Sequence, residues 1–174
     1  MKDLEETYGG RIRVRVGAIC VDAVGSAGAP ADPEAEPSVL LVRHELTDED
    51  EPLWTPPGGG VEFGESLPEA LTREVEEETG LRVEADRLLY TLDFVRPPLH
   101  AVSFYFLGRV EAGRLRVGRD PERAEAGDLI TDVTYAPLSE LGSLKVIPEG
   151  LAERLVSDVS GGFEAAPHHL GTRR

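Results

Sequence analysis

Between Ser66 and Gly80 the chain carries its own helix boundaries, and what lies between them breaks a local rule. Ser66 followed by Glu69 is a capping-box signature, so a helix starts at Leu67 with Pro68 in its first turn, and Gly80 is the natural residue just past its end. At about 100° per residue, Leu67, Ala70, Leu71 and Val75 form the core-facing stripe. Glu74 and Glu78 fall inside that stripe and Glu77 on its edge, while Glu69, Thr72 and Glu76 point to water. Acids in a last turn face the negative end of the helix dipole, and Glu74 and Glu78, one turn apart, repel each other.

Carboxylates placed half-buried together need a cation. Arg73 alone cannot neutralise three of them. A divalent ion can, and hard carboxylate oxygens select Mg²⁺ or Mn²⁺. The cation also matters for the whole chain, whose 174 residues carry a formal net charge of −15. Such a charge opposes nucleic acid or an anionic membrane as partner, and an anionic substrate needs local positive charge.

The segment 73–81 then reads as the end of a family signature. Gly59, five residues, Glu65, seven residues, and Arg73-Glu74-Val75-x-Glu77-Glu78-x-Gly80-Leu81 resemble a complete Nudix box, Gx5Ex7REUxEExGU with U aliphatic, with no departure at a defined position. The resemblance extends more loosely through SVLLVR (38–43) and Trp54 before the box and VTYAPLSEL (133–141) after it, over roughly 10–160.

The resemblance implies an α/β fold: a Nudix-type α/β/α sandwich with a mixed β-sheet and a loop–helix–loop catalytic motif. It implies hydrolysis of a nucleoside diphosphate linked to another moiety, by in-line attack of metal-activated water. By position in the box, Glu77 and Glu78 are the main metal ligands, and Glu74 is a third ligand or the general base. Arg73 and Glu65 form a supporting pair, and a carbonyl of the glycine run, Gly59, completes the metal shell. A further acid from a later loop often joins such sites; Glu125, Asp128 and Asp132 are the candidates. Arg43, Arg96 and Tyr105 are candidates for contacting phosphate or base.

Substrate choice is less legible. Some ADP-ribose hydrolases of this family carry a proline about 16 residues after the box, and Pro97 stands 16 residues after Leu81, yet a Pro-Pro pair between strands also serves simply as a turn. Nucleotide sugars, ADP-ribose and modified nucleoside triphosphates all stay open. So does a ligand-sensing module of the same fold without turnover, although such modules commonly lose box acids that are kept here. An isomerase branch would need Cys20, the sole cysteine, which sits in a buried strand pattern.

The rest of the chain divides readily. RIRVRVGAICV (11–21) alternates, placing Ile12, Val14 and Val16 on one face of a strand and Arg11, Arg13 and Arg15 on the other. Strands follow at 38–43, 88–95, 100–110 and 133–137, and a helix at 148–159, with loops at 25–37 and 118–129. The expected organisation is an extension at 1–10, a domain at 11–160 and a tail at 161–174, whose composition reads as disordered. One cysteine, no long apolar run and no signal-peptide pattern set the expectation of a cytoplasmic protein. The Arg-rich first strand and the tail are candidate surfaces for a homodimer.

Overall fold

The computed structural model describes residues 9–22, 36–46, 51–118, 128–164 and 167–174. Two sheets carry the fold. β1 (Arg13–Ile19) lies parallel to β6 (Leu99–Gly113), which forms a long antiparallel hairpin with β5 (Leu81–Arg96), and β8 (His168–Arg173) adds in parallel to the far edge of β5. In the second sheet β3 (Ser38–Leu46) pairs antiparallel with β2 (Val21–Asp22), β4 (Leu53–Thr55) and β7 (Asp128–Pro137). The helices are α1 (Leu67–Thr79) and α2 (Leu151–Ser160), with a 3₁₀ turn over Leu138–Ser143.

Successive residues of the buried strands fall into different cores, as period-2 side chains must when both faces are covered. Val39 and Leu41 join Leu141, Leu151 and Leu155 on the α2 side, whereas Leu40 joins Ala70, Leu71 and Val75 on the α1 side. Ile19 likewise faces α2, and Ala18 and Cys20 face α1. Sheets between two helical layers make an α/β/α sandwich, which is the fold class read from the sequence.

Helix α1 has the anticipated ends. Ser66 Oγ accepts the Glu69 N–H at 3.4 Å while Glu69 Oε2 accepts the Ser66 N–H at 2.8 Å, and Gly80 adopts the left-handed conformation with φ 71°. Ala70, Leu71, Glu74, Val75 and Glu78 are buried. One residue of the outward face differs from expectation: Thr72 is half-buried and donates to the Val83 carbonyl at 2.8 Å, tying the helix to β5.

Three further readings are corrected. Of the alternating apolar set only Val16 is buried; Ile12, just before β1, is 62% and Val14 40% exposed, because the packed core of α1 begins at Val16. The tail is not wholly irregular: 168–173 form β8, held by main-chain pairing to the β5 edge, a contact composition cannot encode. β5 starts at Leu81, immediately after the helix cap, rather than at 88. Of the expected loops, 23–35 and 119–127 lie outside the described residues, and so does Glu125.

Candidate active site

The residues before α1 run antiparallel along the outer edge of β1. Val16 N–H donates to the Gly59 carbonyl at 3.0 Å, Ala18 N–H to the Pro57 carbonyl at 2.9 Å, and Val61 N–H to the Val14 carbonyl at 3.0 Å. This seam fixes the glycine run against the inner face of α1. The Gly58 N–H donates to Glu78 Oε2 at 2.8 Å. A Cβ on Gly59 would overlap the Glu74 carboxylate, and one on Gly58, at φ 150°, would overlap the Val16 carbonyl oxygen. Only glycines let the backbone come this close.

Two carboxylates therefore meet adjacent residues of one loop, inside the protein: Glu74 is 4% exposed and Glu78 fully buried. Glu77 stands at the rim, its side chain 38% exposed. Arg73 binds all around this group. Its Nε and Nη2 donate to Glu65 Oε1 and Oε2 at 2.8 and 2.9 Å, Nη2 also to the Gly60 carbonyl at 3.0 Å, and Nη1 to Glu74 Oε1 at 2.9 Å. Glu77 Oε2 lies 3.7 Å from Nη1. The Arg73 fork and the Glu62 N–H hold the Glu65 carboxyl down at about 2, and Glu65 in turn pushes the guanidinium further up.

The negative end of α1 has its own partners. Gly80 N–H donates to the Glu76 carbonyl, Arg116 N–H to that of Thr79 at 2.9 Å, and Gly118 N–H to that of Glu78 at 2.8 Å. The helix has no basic residue in its last turn. Arg116, crossing over Gly80, brings one from outside and lines an open depression with Thr72, Arg73, Glu76, Glu77 and Arg82. Sequence reading did not single out Arg82, Arg116 or Gly118; they are ordinary loop and strand residues whose meeting with the box depends on the fold.

The other candidates are spread over both sheets. Arg43, in β3, sits opposite Trp54 and Asp132 and lies 3.4 Å from Glu45. Asp132 is exposed and accepts the Val133 N–H at 2.8 Å, and Asp128 opens β7 opposite Leu46. Arg96 lies over the Phe94 ring, 5.9 Å from its centroid. Tyr105 lies against Gly17, where a Cβ would come within 2.7 Å of its ring, and Gly17 itself abuts Gly58. Pro97 and Pro98 form the turn between β5 and β6. Cys20 is buried, which pushes its thiol up to about 12 and leaves it inert as an acid or nucleophile.

Among the described residues no three His, Cys, Asp or Glu side chains stand together as a ready-made cation cage. The donor chemistry nevertheless fits a hard divalent cation. Glu74 accepts from Arg73 through Oε1, Glu78 accepts from Gly58 through Oε2, and a carboxylate offers about four lone-pair positions in all. The Gly59 carbonyl, engaged by Val16, keeps one lone pair for such a role.

Comparison with known proteins places the whole chain rather than the site. A model of the NUDIX domain matches residues 21–155. An ADP-ribose pyrophosphatase of Methanocaldococcus jannaschii is 43% identical over 75 residues, covering 42% of this chain and 44% of that protein. The NAD-capped RNA hydrolase NudC of Photobacterium profundum is 29% identical over 135 residues, covering 78% of this chain and 46% of its own length. The chain thus spans less than half the length of either relative. A solved NUDIX hydrolase from Nitrosomonas europaea superposes with a TM-score of 0.64 at 21% identity, over 87% of this chain and 90% of that one. No helix among the described residues is long and apolar enough to cross a membrane.

Proposed function

The chain belongs to the NUDIX domain family, and from that premise we propose that it is a divalent-metal-dependent hydrolase. It cleaves the pyrophosphate bond of a nucleoside diphosphate linked to another moiety, such as ADP-ribose, a nucleotide sugar or a modified nucleoside triphosphate. The observation that carries this reading is the burial of Glu74 and Glu78 against the backbone of Gly58 and Gly59, with Glu77 at the rim. Carboxylates are not assembled in an interior for stability alone; a cation is the economical explanation.

Glu77 and Glu78 are the main ligands of Mg²⁺ or Mn²⁺, with Glu74 as third ligand or general base and Gly59 as a carbonyl donor. When bound, the ion neutralises pyrophosphate charge and acidifies water for in-line attack. Arg73 and Glu65 orient the loop and keep Glu74 in place through a bidentate bond that a lysine could not reproduce. Where Glu74 is not a ligand, its carboxylate, packed against Gly59, is the group that would serve as general base. Among the other polar groups, Tyr105 is the best supported for stacking on the nucleoside, because Gly17 separates its ring from Gly58 by one residue's width. Arg43 and Arg96 are assigned to phosphate, and one of Glu125, Asp128 and Asp132 to a further acidic role at the site.

The test is product analysis with Mg²⁺ or Mn²⁺ on a panel of ADP-ribose, nucleotide sugars, dinucleoside polyphosphates, and normal and oxidised nucleoside triphosphates. Release of a nucleoside monophosphate and its partner, lost in Glu78→Gln, is the expected outcome. Metal binding without turnover of any member would turn the assignment to a ligand-sensing module, and turnover untouched by Glu78→Gln would overturn the site.

A further inference from the structure

The last turn of α1 carries Glu77 and Glu78, yet helix ends fray unless their carbonyls are satisfied. Here the satisfaction comes from a different part of the chain. After β6 the backbone crosses the helix end, and the N–H groups of Arg116 and Gly118 close on the carbonyls of Thr79 and Glu78 at 2.9 and 2.8 Å. The crossing is so tight that a Cβ at residue 118 would overlap the Glu77 carbonyl oxygen and press on the Glu78 carbonyl carbon. These are main-chain atoms, so no side-chain rotation relieves the overlap; the turn itself must move.

We propose that Gly118, acting with the Arg116 amide, is a positioning residue for the metal site: it locks the backbone from which Glu77 and Glu78 reach a divalent cation. The inference rests on the metal-dependent reading above. Glu78 is held at two points, its side chain by the Gly58 N–H and its carbonyl by the Gly118 N–H. The two contacts come from segments before and after α1 in the sequence and fix both the origin and the tip of one carboxylate. A shift of the turn would move Glu77 and Glu78 together while leaving the Arg73–Glu65 pair, one to three turns earlier, in place.

Coupling of this kind is reciprocal: if the lock favours metal, metal favours the lock. Mn²⁺ binding is measured by the loss of the free-ion electron-spin resonance signal for wild type, Gly118→Ala, Glu78→Gln and Gly142→Ala. Gly142 serves as the control because a Cβ there meets nothing within 4 Å. Gly118→Ala is expected to weaken Mn²⁺ by roughly 10–100-fold, the range seen when groups supporting metal ligands are lost, and Gly142→Ala to leave it unchanged. Excess Mn²⁺ should restore turnover in Gly118→Ala but not in Glu78→Gln.

Should Gly118→Ala fail to fold, residue-resolved hydrogen exchange of the wild-type protein decides. Saturating Mg²⁺ is expected to slow exchange of the Arg116 and Gly118 amides more than that of Gly161 and Gly162, which cap α2. Wild-type Mn²⁺ affinity in a folded Gly118→Ala, or no selective protection of 116 and 118, overturns the lock alone. Absence of divalent-ion binding by the wild type overturns the metal-dependent reading, and the lock with it.

Discussion

Arg73 grips Glu65 with two parallel hydrogen bonds, 2.8 Å from Nε to Oε1 and 2.9 Å from Nη2 to Oε2, joining the segment that leads into α1 to the middle of the helix. The same guanidinium reaches the Gly60 carbonyl and Glu74. One planar cation therefore sets the distance between the loop that faces the site and the helix that supplies its acids, a geometry suited to the fork of arginine.

That pair makes an acid-stability prediction. The Glu65 carboxyl titrates at about 2 in the folded protein against an ordinary 4.5. A depressed folded value means that its stabilisation is complete above pH 4.5 and is lost as pH falls toward 2. Glu65→Gln keeps the size and an acceptor for the Glu62 N–H but removes the charge. At neutral pH it is expected to cost about 1 kcal/mol, allowing for solvent screening of a partly exposed pair. Melting curves of both proteins from pH 7 to pH 2.5 check this: the wild-type advantage should be flat down to about pH 4.5 and then shrink. An advantage that grows with acid would contradict the assignment.

Glu78 is expected to behave in the opposite sense. A buried carboxylate without its cation is a cost to folding, and Glu78→Gln removes the charge while leaving an oxygen for the Gly58 N–H. In chelator the variant should unfold at the same or a higher urea concentration than the wild type. In millimolar Mn²⁺ the order should reverse, because only the wild type gains RT ln(1 + [Mn²⁺]/Kd) from ligand binding. A variant less stable than wild type in chelator would mean that the carboxylate has a structural role independent of metal.

Much of this arrangement is legible in the amino-acid sequence. The limits of α1, its buried face and the anomalous placement of Glu74 and Glu78 follow from local rules that act within one helix: capping, periodicity and the dipole. What is not legible depends on contacts between distant segments. Gly118 reads as a loop glycine until the backbone after β6 is seen to cross α1. His168–Arg173 looks like a polar tail until the β5 edge is seen to receive it. Ile12 and Val14 show the reverse error: alternation proves a strand, but not that anything covers its apolar face. Period-2 patterning constrains direction, whereas burial depends on what packs there.

The α2 layer offers a test away from the site. Tyr90 is fully buried and its hydroxyl donates to Asp158 Oδ2 at 2.9 Å, with Arg154 Nε on the same oxygen at 2.7 Å. Burial, and then the Asp158 carboxylate, push the phenol well above its ordinary value of 10. A raised folded value means that this stabilisation is complete below pH 10 and fades as pH rises beyond it. Tyr90→Phe should cost about 1 kcal/mol at pH 7, and the difference from wild type should narrow in alkaline urea titrations. A pH-independent difference up to pH 11 would show that the hydroxyl contributes only through packing.

The uneven burial of β1 gives the last prediction. Val16 is 3% exposed and packs with Ala18, Leu71 and Val75, so Val16→Ala removes two buried carbons and should cost about 2 kcal/mol. Ile12, at 62% exposure, belongs to neither core cluster among the described residues, and Ile12→Ser should change stability by no more than about 0.5 kcal/mol. Denaturant titrations at two protein concentrations a hundredfold apart separate the possibilities. Equal midpoints and a silent Ile12→Ser establish that this end of the strand faces water. A midpoint that rises with concentration in the wild type and loses that dependence in Ile12→Ser would show the opposite: a second copy of the chain covers Ile12 and Val14, since only association makes stability depend on concentration.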